Sequence, residues 1–111
     1  MAVLRRADLP APALRQEEVE VPALGGAVIV RAMPLNVLFD VIEAARSNPA
    51  NAVPSLLAQS VIDADGEQFW TAEQWSTWGA IEFEGALALY GAAQRVCGIG
   101  KLAQESAEKN S

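Results

Sequence analysis

Asp63, Asp65 and Gly66 are the residues whose types come nearest to a metal motif, because alternating aspartates before a glycine open calcium-binding loops. The spacing argues against that chemistry. Glycine stands at the fourth position instead of the sixth, and no glutamate follows at the twelfth, so a tight acidic turn is the better reading. Cys97 is the only cysteine, and the chain has no histidine. The commonest general base and metal ligand is therefore absent, and a thiol placed on an apolar helix with no histidine partner reads as an inert core or interface group. Glu82 and Glu84 stand two apart. On a helix they point in different directions, which suits a solvated surface better than an acid–base pair.

The aromatic residues are the more informative set. Trp70, Trp75 and Trp78 lie within nine residues of a chain that has only seven aromatics. Trp75 and Trp78 share a helical face, where they can act as core anchors or as a partly exposed interaction hot spot. Thr71 with Gln74 has the spacing of a capping box, and Trp70 and Trp75 occupy the flanking positions of a hydrophobic staple. The stretch from Leu56 to Trp75 thus reads as the end of one helix, a turn over Asp63–Gly66, and the capped start of another. The rest of the chain is organised around this junction.

The 111 residues suit one domain with a modest core. Hydrophobic residues make up 51% of the chain, much of it alanine, and alanine favours helix. Fourteen acidic against eight basic residues give a net charge of -6, which opposes binding to a phosphate backbone, so nucleic acid is not an expected partner. No run approaches the roughly 20 apolar residues that span a bilayer, and the start lacks an apolar leader core. With a single cysteine and neither feature, a soluble cytoplasmic protein without membrane contact or cofactor is the expectation.

Residues 1–16 hold Arg5, Arg6 and an Ala-Pro run, and read as an extended arm, since Pro10 and Pro12 forbid a regular helix. Residues 17–111 are expected to form a single globular domain, with a hairpin over 17–32 and helices over 34–111. Glu18–Val21 and Ala27–Arg31 are the two strands, joined by Pro22-Ala23-Leu24-Gly25-Gly26. Two strands alone are marginal in water, so the hairpin must lie on helices or be completed by another chain. Pro34 fits the first turn of a helix with Leu35, Leu38, Phe39 and Ile42 on its apolar face, ending near Ser47. A second helix starts at Asn48 or Asn51 and presents Val53, Leu56, Leu57 and Val61. A third carries Trp75 and Trp78, with Gly79 as a kink or stop. The longest, from about Ile81 to Cys97, presents Phe83, Ala86, Leu87, Tyr90 and Cys97, and Gly98 ends it. A last short helix is expected from Lys101 to about Glu108. The fold class is therefore mainly α with a small N-terminal β-hairpin, about four to five helices in a small bundle.

Taken in order, these pieces resemble the tail assembly chaperones of long-tailed bacteriophages and prophages. The run Val19-Glu20-Val21-Pro22-Ala23-Leu24-Gly25-Gly26-Ala27-Val28-Ile29-Val30-Arg31 is similar to their V-P-x-(x)-G-G-x-V-x-V-R hairpin. The run from Leu57 to Phe69 resembles their Asp-x-Asp-Gly turn, and Lys109-Asn110-Ser111 their tail. The chain departs from the pattern at Pro34-Leu35-Asn36, in place of a charged helix start, and at Trp70 after Phe69. The resemblance implies a non-enzymatic cytoplasmic protein that binds the helical tape measure protein and keeps it soluble until tail tube protein polymerises. A longer form made by translational frameshifting would bind the tail tube protein.

Leu35, Phe39, Trp75 and Trp78, with the hairpin edge, are the expected contact surface for that partner or for a second copy of the chain, since a free edge invites strand addition. The alternative is a structural phage subunit, a head–tail joining or tail completion protein, retained in the virion.

Overall fold

The structure, a computed structural model, describes residues 2–99. Residues 2–15 are exposed and carry one short helical turn, Arg6–Asp8. Strand β1 (Gln16–Val21) and strand β2 (Gly26–Arg31) form an antiparallel hairpin in register from Gln16 opposite Arg31 to Val21 opposite Gly26. A 3-10 turn over Pro22–Leu24 joins them. It closes on Gly25 at φ 82°, a left-handed conformation that glycine adopts without a Cβ clash.

Four helices follow: α1 (Leu35–Ser47), α2 (Ala52–Ser60), α3 (Ala72–Ile81) and α4 (Phe83–Cys97). The expected mainly-α fold with an N-terminal hairpin is thus observed, with four helices among the described residues. The helix expected from Lys101 lies outside them. Between α1 and α2, Asn48 caps a turn over Pro49–Asn51 by accepting from the Ala50 N–H at 3.3 Å. Of the two asparagines considered as helix starts, Asn48 caps this turn with its side chain, and Asn51 stands at the N-cap position of α2 without a side-chain hydrogen bond.

The hairpin is completed by the same chain. α2 runs straight into a third strand, β3 (Val61–Ile62), which pairs antiparallel with β2, Ile29 opposite Ile62 and Val30 opposite Val61. The sheet order is β1-β2-β3, so β1 is an edge. This corrects the expectation that Val61 continues the apolar face of α2. Leu56, Leu57 and Val61 are all buried, but Val61 is buried as a strand residue, its φ of -87° and ψ of 122° being extended.

The central helix is α2, which packs on α1, α3 and α4. The core joins Val28 and Val30 from the sheet, Leu56 and Leu57 from α2, Trp75 from α3, and Leu89, Ala92 and Ala93 from α4. Ser60, fully buried, donates its hydroxyl hydrogen to the Leu56 carbonyl at 2.7 Å, which satisfies a polar group that would otherwise be costly there. Arg95 on α4 meets Glu17 on β1 at 2.9 Å, an exposed pair worth at most about 1 kcal/mol.

Two helices bury faces other than those expected. In α1, Val41 is buried and Val37 and Leu38 pack on the core, while Leu35 and Phe39 are exposed. In α4 the buried residues are Ala86, Leu89, Ala92, Ala93 and Val96, while Phe83 and Leu87 are exposed. Alanines let α4 lie close to α2 and the sheet, which the longer side chains of Phe83 and Leu87 would prevent. A third difference concerns the break between α3 and α4. It falls at Glu82, with φ -117° and ψ 65°, and α3 passes through Gly79 unbroken. Gly79 faces α4 there, where a Cβ would meet the Ala86 Cβ at 3.4 Å, an ordinary van der Waals contact.

Candidate functional site

The junction between β3 and α3 is built by side chains bonding to backbone. The Asp63 carboxylate accepts from the N–H groups of Asp65 at 2.8 Å and Glu67 at 3.0 Å, and Gly66 takes φ 82°. Those bonds use the Asp63 oxygen as turn chemistry. Thr71 Oγ1 then accepts from the Gln74 N–H at 3.3 Å, and Gln74 Oε1 accepts from the Thr71 N–H at 3.0 Å, closing the capping box. Across the cap, the Trp70 and Trp75 rings meet edge to face with centroids 4.7 Å apart. The staple orients the entry to α3.

An aromatic cluster grows from that staple. Trp75 contacts Phe69, with ring centroids at 5.9 Å, and Trp78 at 5.5 Å. Trp75 is only 1% exposed and anchors the core. Trp78 is half-buried against the core. Leu35 and Phe39 lie one turn apart on the exposed side of α1, a helix that packs on α2. The hollows lined by Trp75 and Trp78 are built instead from α2, α3, α4 and the residues just before α3. Of the four expected contact residues, the two tryptophans are therefore brought together, and the α1 pair occupies a separate surface.

The apolar surface beside the tryptophans comes from Phe83 and Leu87, expected on the apolar stripe of the longest helix, and from Ile81, expected only as its start. Ile81 ends α3 and is 75% exposed, Phe83 begins α4 and is 66% exposed, and Leu87 follows one turn later, also exposed. On one side of this corner lies a hollow of about 220 Å³ between Val53 and Pro54 of α2, Gly79 and Ala80 of α3, and Phe83 and Leu87 of α4. On the other lies a shallower one of about 430 Å³, lined by Trp70, Glu73, Trp78 and Ile81. The available signal was the pair Ile81-Glu82-Phe83, whose two apolar residues flank a charged one at the helix break.

No residue from 47 to 94 is basic, whereas Asp63, Asp65, Glu67, Glu73, Glu82 and Glu84 are acidic. The turn before α3, α3 itself and the first half of α4 therefore carry charge of one sign, while α2 carries none. A further hollow of about 260 Å³ on the sheet, lined by Glu18, Ile29, Asp63 and Phe69, has the same acidic and apolar character.

Among the described residues no three His, Cys, Asp or Glu side chains gather at one point, and no helix is long and apolar enough to cross a membrane. Burial pushes the Cys97 thiol above its ordinary range, partly offset by a backbone hydrogen bond from Met33. Raising that value lowers the thiolate fraction at neutral pH, which is unfavourable for a nucleophile. The arrangement is suited to holding apolar side chains within an acidic surround.

Neither a protein-family model nor a curated protein sequence matches the chain. Among solved structures, that of the bacteriophage HK97 tail assembly chaperone is similar, with a TM-score of 0.60 and 19% identity, over 81% of this chain and 88% of that one. At that identity the likeness shows a shared fold.

Proposed function

We propose that this protein is a phage tail assembly chaperone that binds the tape measure protein and keeps it soluble in the host cytoplasm while the tail tube assembles, without enzymatic activity or a cofactor. The observation that carries this reading is the likeness of fold to the HK97 tail assembly chaperone across most of both chains. The exposed apolar corner and acidic surround suit the role. A chaperone for a long helical guest needs apolar surface to cover the guest's stripe, and like charge to keep the loaded complex from associating. In this reading residues 17–111 act as one domain with residues 1–16 as an arm, and tail tube protein is met by a frameshifted longer form.

Co-expression with the long helical protein encoded beside it tests the proposal. The expected result is that the long protein is insoluble alone, but soluble and co-purified in the presence of this chain. Absence of both rescue and binding overturns the reading. Presence of this chain at fixed stoichiometry in purified virions would also overturn it, in favour of a joining or completion subunit.

A further inference from the structure

We propose that the α3–α4 corner, centred on Ile81, Phe83 and Leu87, is the docking site for an amphipathic helix whose apolar stripe is flanked by lysine and arginine. The inference rests on the chaperone reading for the identity of the natural guest, though the chemistry of the site stands on its own. Three large apolar side chains project at a helix break, between hollows of about 220 and 430 Å³. The floor of the smaller hollow includes Gly79, Ala80 and Ala86, whose small side chains leave room for those of a guest. Exposed apolar surface of this kind, rimmed by charge, is the common form of a protein-binding patch.

The occupant follows from backbone and charge. The corner is made of helices whose main-chain groups bond internally, so it offers no strand edge, and an incoming helix can be held by side-chain anchors three and four residues apart. Glu73 lines the larger hollow, and Glu82 and Glu84 are exposed next to Ile81 and Phe83 in the chain, with no basic residue between Arg46 and Arg95. Arg46 pairs with Glu43, and Arg95 with Glu17. The potential at the corner therefore favours a basic guest and steers its approach. A second copy docking corner to corner would set these three glutamates against themselves, because a two-fold interface presents the same patch from both sides.

The test uses the full chain and a synthetic amphipathic peptide of three heptads, with leucine on its apolar stripe and lysine at the flanks, alongside the same peptide with glutamate at the flanks. Fluorescence anisotropy is expected to show binding of the lysine peptide that weakens as salt is raised, and at least about tenfold weaker binding of the glutamate peptide. The variant Ile81→Asp/Phe83→Asp, changed only at exposed positions and checked by circular dichroism, is expected to lose at least about tenfold in affinity for the lysine peptide, whereas Leu35→Asp/Phe39→Asp retains it. Equal binding of the two peptides, or unchanged binding by the corner variant, overturns the proposal. Loss of self-association in the corner variant without loss of peptide binding overturns it too. In co-expression, if the wild type and the corner variant both rescue the tape measure protein, the chaperone reading holds and the site falls. If the wild type fails to rescue but the peptide results hold, the site stands and the chaperone reading falls.

Discussion

Gly85 on α4 faces the Trp78 indole on α3 so closely that a Cβ at Gly85 would stand 2.7 Å from Trp78 Cη2 and 3.3 Å from Cζ2. The two helices approach here because one partner has no side chain. Gly85→Ala would gain about 1 kcal/mol of helix propensity but force the indole to move, an overpacking cost of about 1–3 kcal/mol. Net destabilisation in urea titration is expected, accompanied by a change in tryptophan fluorescence. Shortening the ring with Trp78→Phe in the same chain should relieve the clash, so the double variant is expected to be more stable than the sum of the single changes.

Trp75 has a different kind of constraint. Its Nε1–H is buried with no hydrogen-bond partner among the described residues, so the ring is retained for packing. Trp75→Ala is expected to cost about 3–5 kcal/mol, a large part of the stability of a small domain. Trp75→Phe is expected to cost less, because it also removes an unsatisfied donor worth about 1–3 kcal/mol. Equal losses from the two substitutions in urea titration would contradict this account.

The junction before α3 can be weakened at either end. Thr71→Ala removes the acceptor for the Gln74 N–H and is expected to cost about 1 kcal/mol. Asp63→Ala removes two backbone hydrogen bonds and should speed hydrogen exchange at Asp65 and Glu67, while Asp63→Asn keeps a carbonyl acceptor and is expected to be milder.

Cys97 makes a pH-dependent expectation. Because burial raises its folded-state value, the thiol should alkylate more slowly at pH 8 than a free cysteine, and reach the free rate once the chain is unfolded in urea. The sign for stability follows. The contribution is fully present below the unfolded thiol range, and is lost as pH rises from there through the higher folded value. Stability should therefore be insensitive to this group near neutrality and fall in alkali.

The parts of the fold that are legible in the sequence are those fixed by local chemistry. Gly25 closes the hairpin, Asp63 and Gly66 form the turn, and Thr71 with Gln74 caps α3 between Trp70 and Trp75. The parts that are not legible depend on tertiary choice. Val61 and Ile62 extend the apolar pattern of α2, and only pairing with Val30 and Ile29 makes them a strand. Apolar residues at 35, 37, 38, 39, 41 and 42 cover so much of α1 that periodicity does not select a face, and packing on α2 selects Val41. The same degeneracy on α4 hid Leu89 among alanines and left Phe83 and Leu87 outside. The candidate corner was missed for that reason, since it consists of residues that look equally suited to a core.

The direct passage of α2 into β3 ties the two halves of the molecule like a crank. With no loop between Ser60 and Val61 to absorb a twist, turning α2 about its axis must carry Val61 and Ile62 across the line of β2. One added residue at that splice would exchange the faces of both strand residues, because side chains alternate along a strand. The bundle and the sheet are thus geared to one another, and neither can be reset alone.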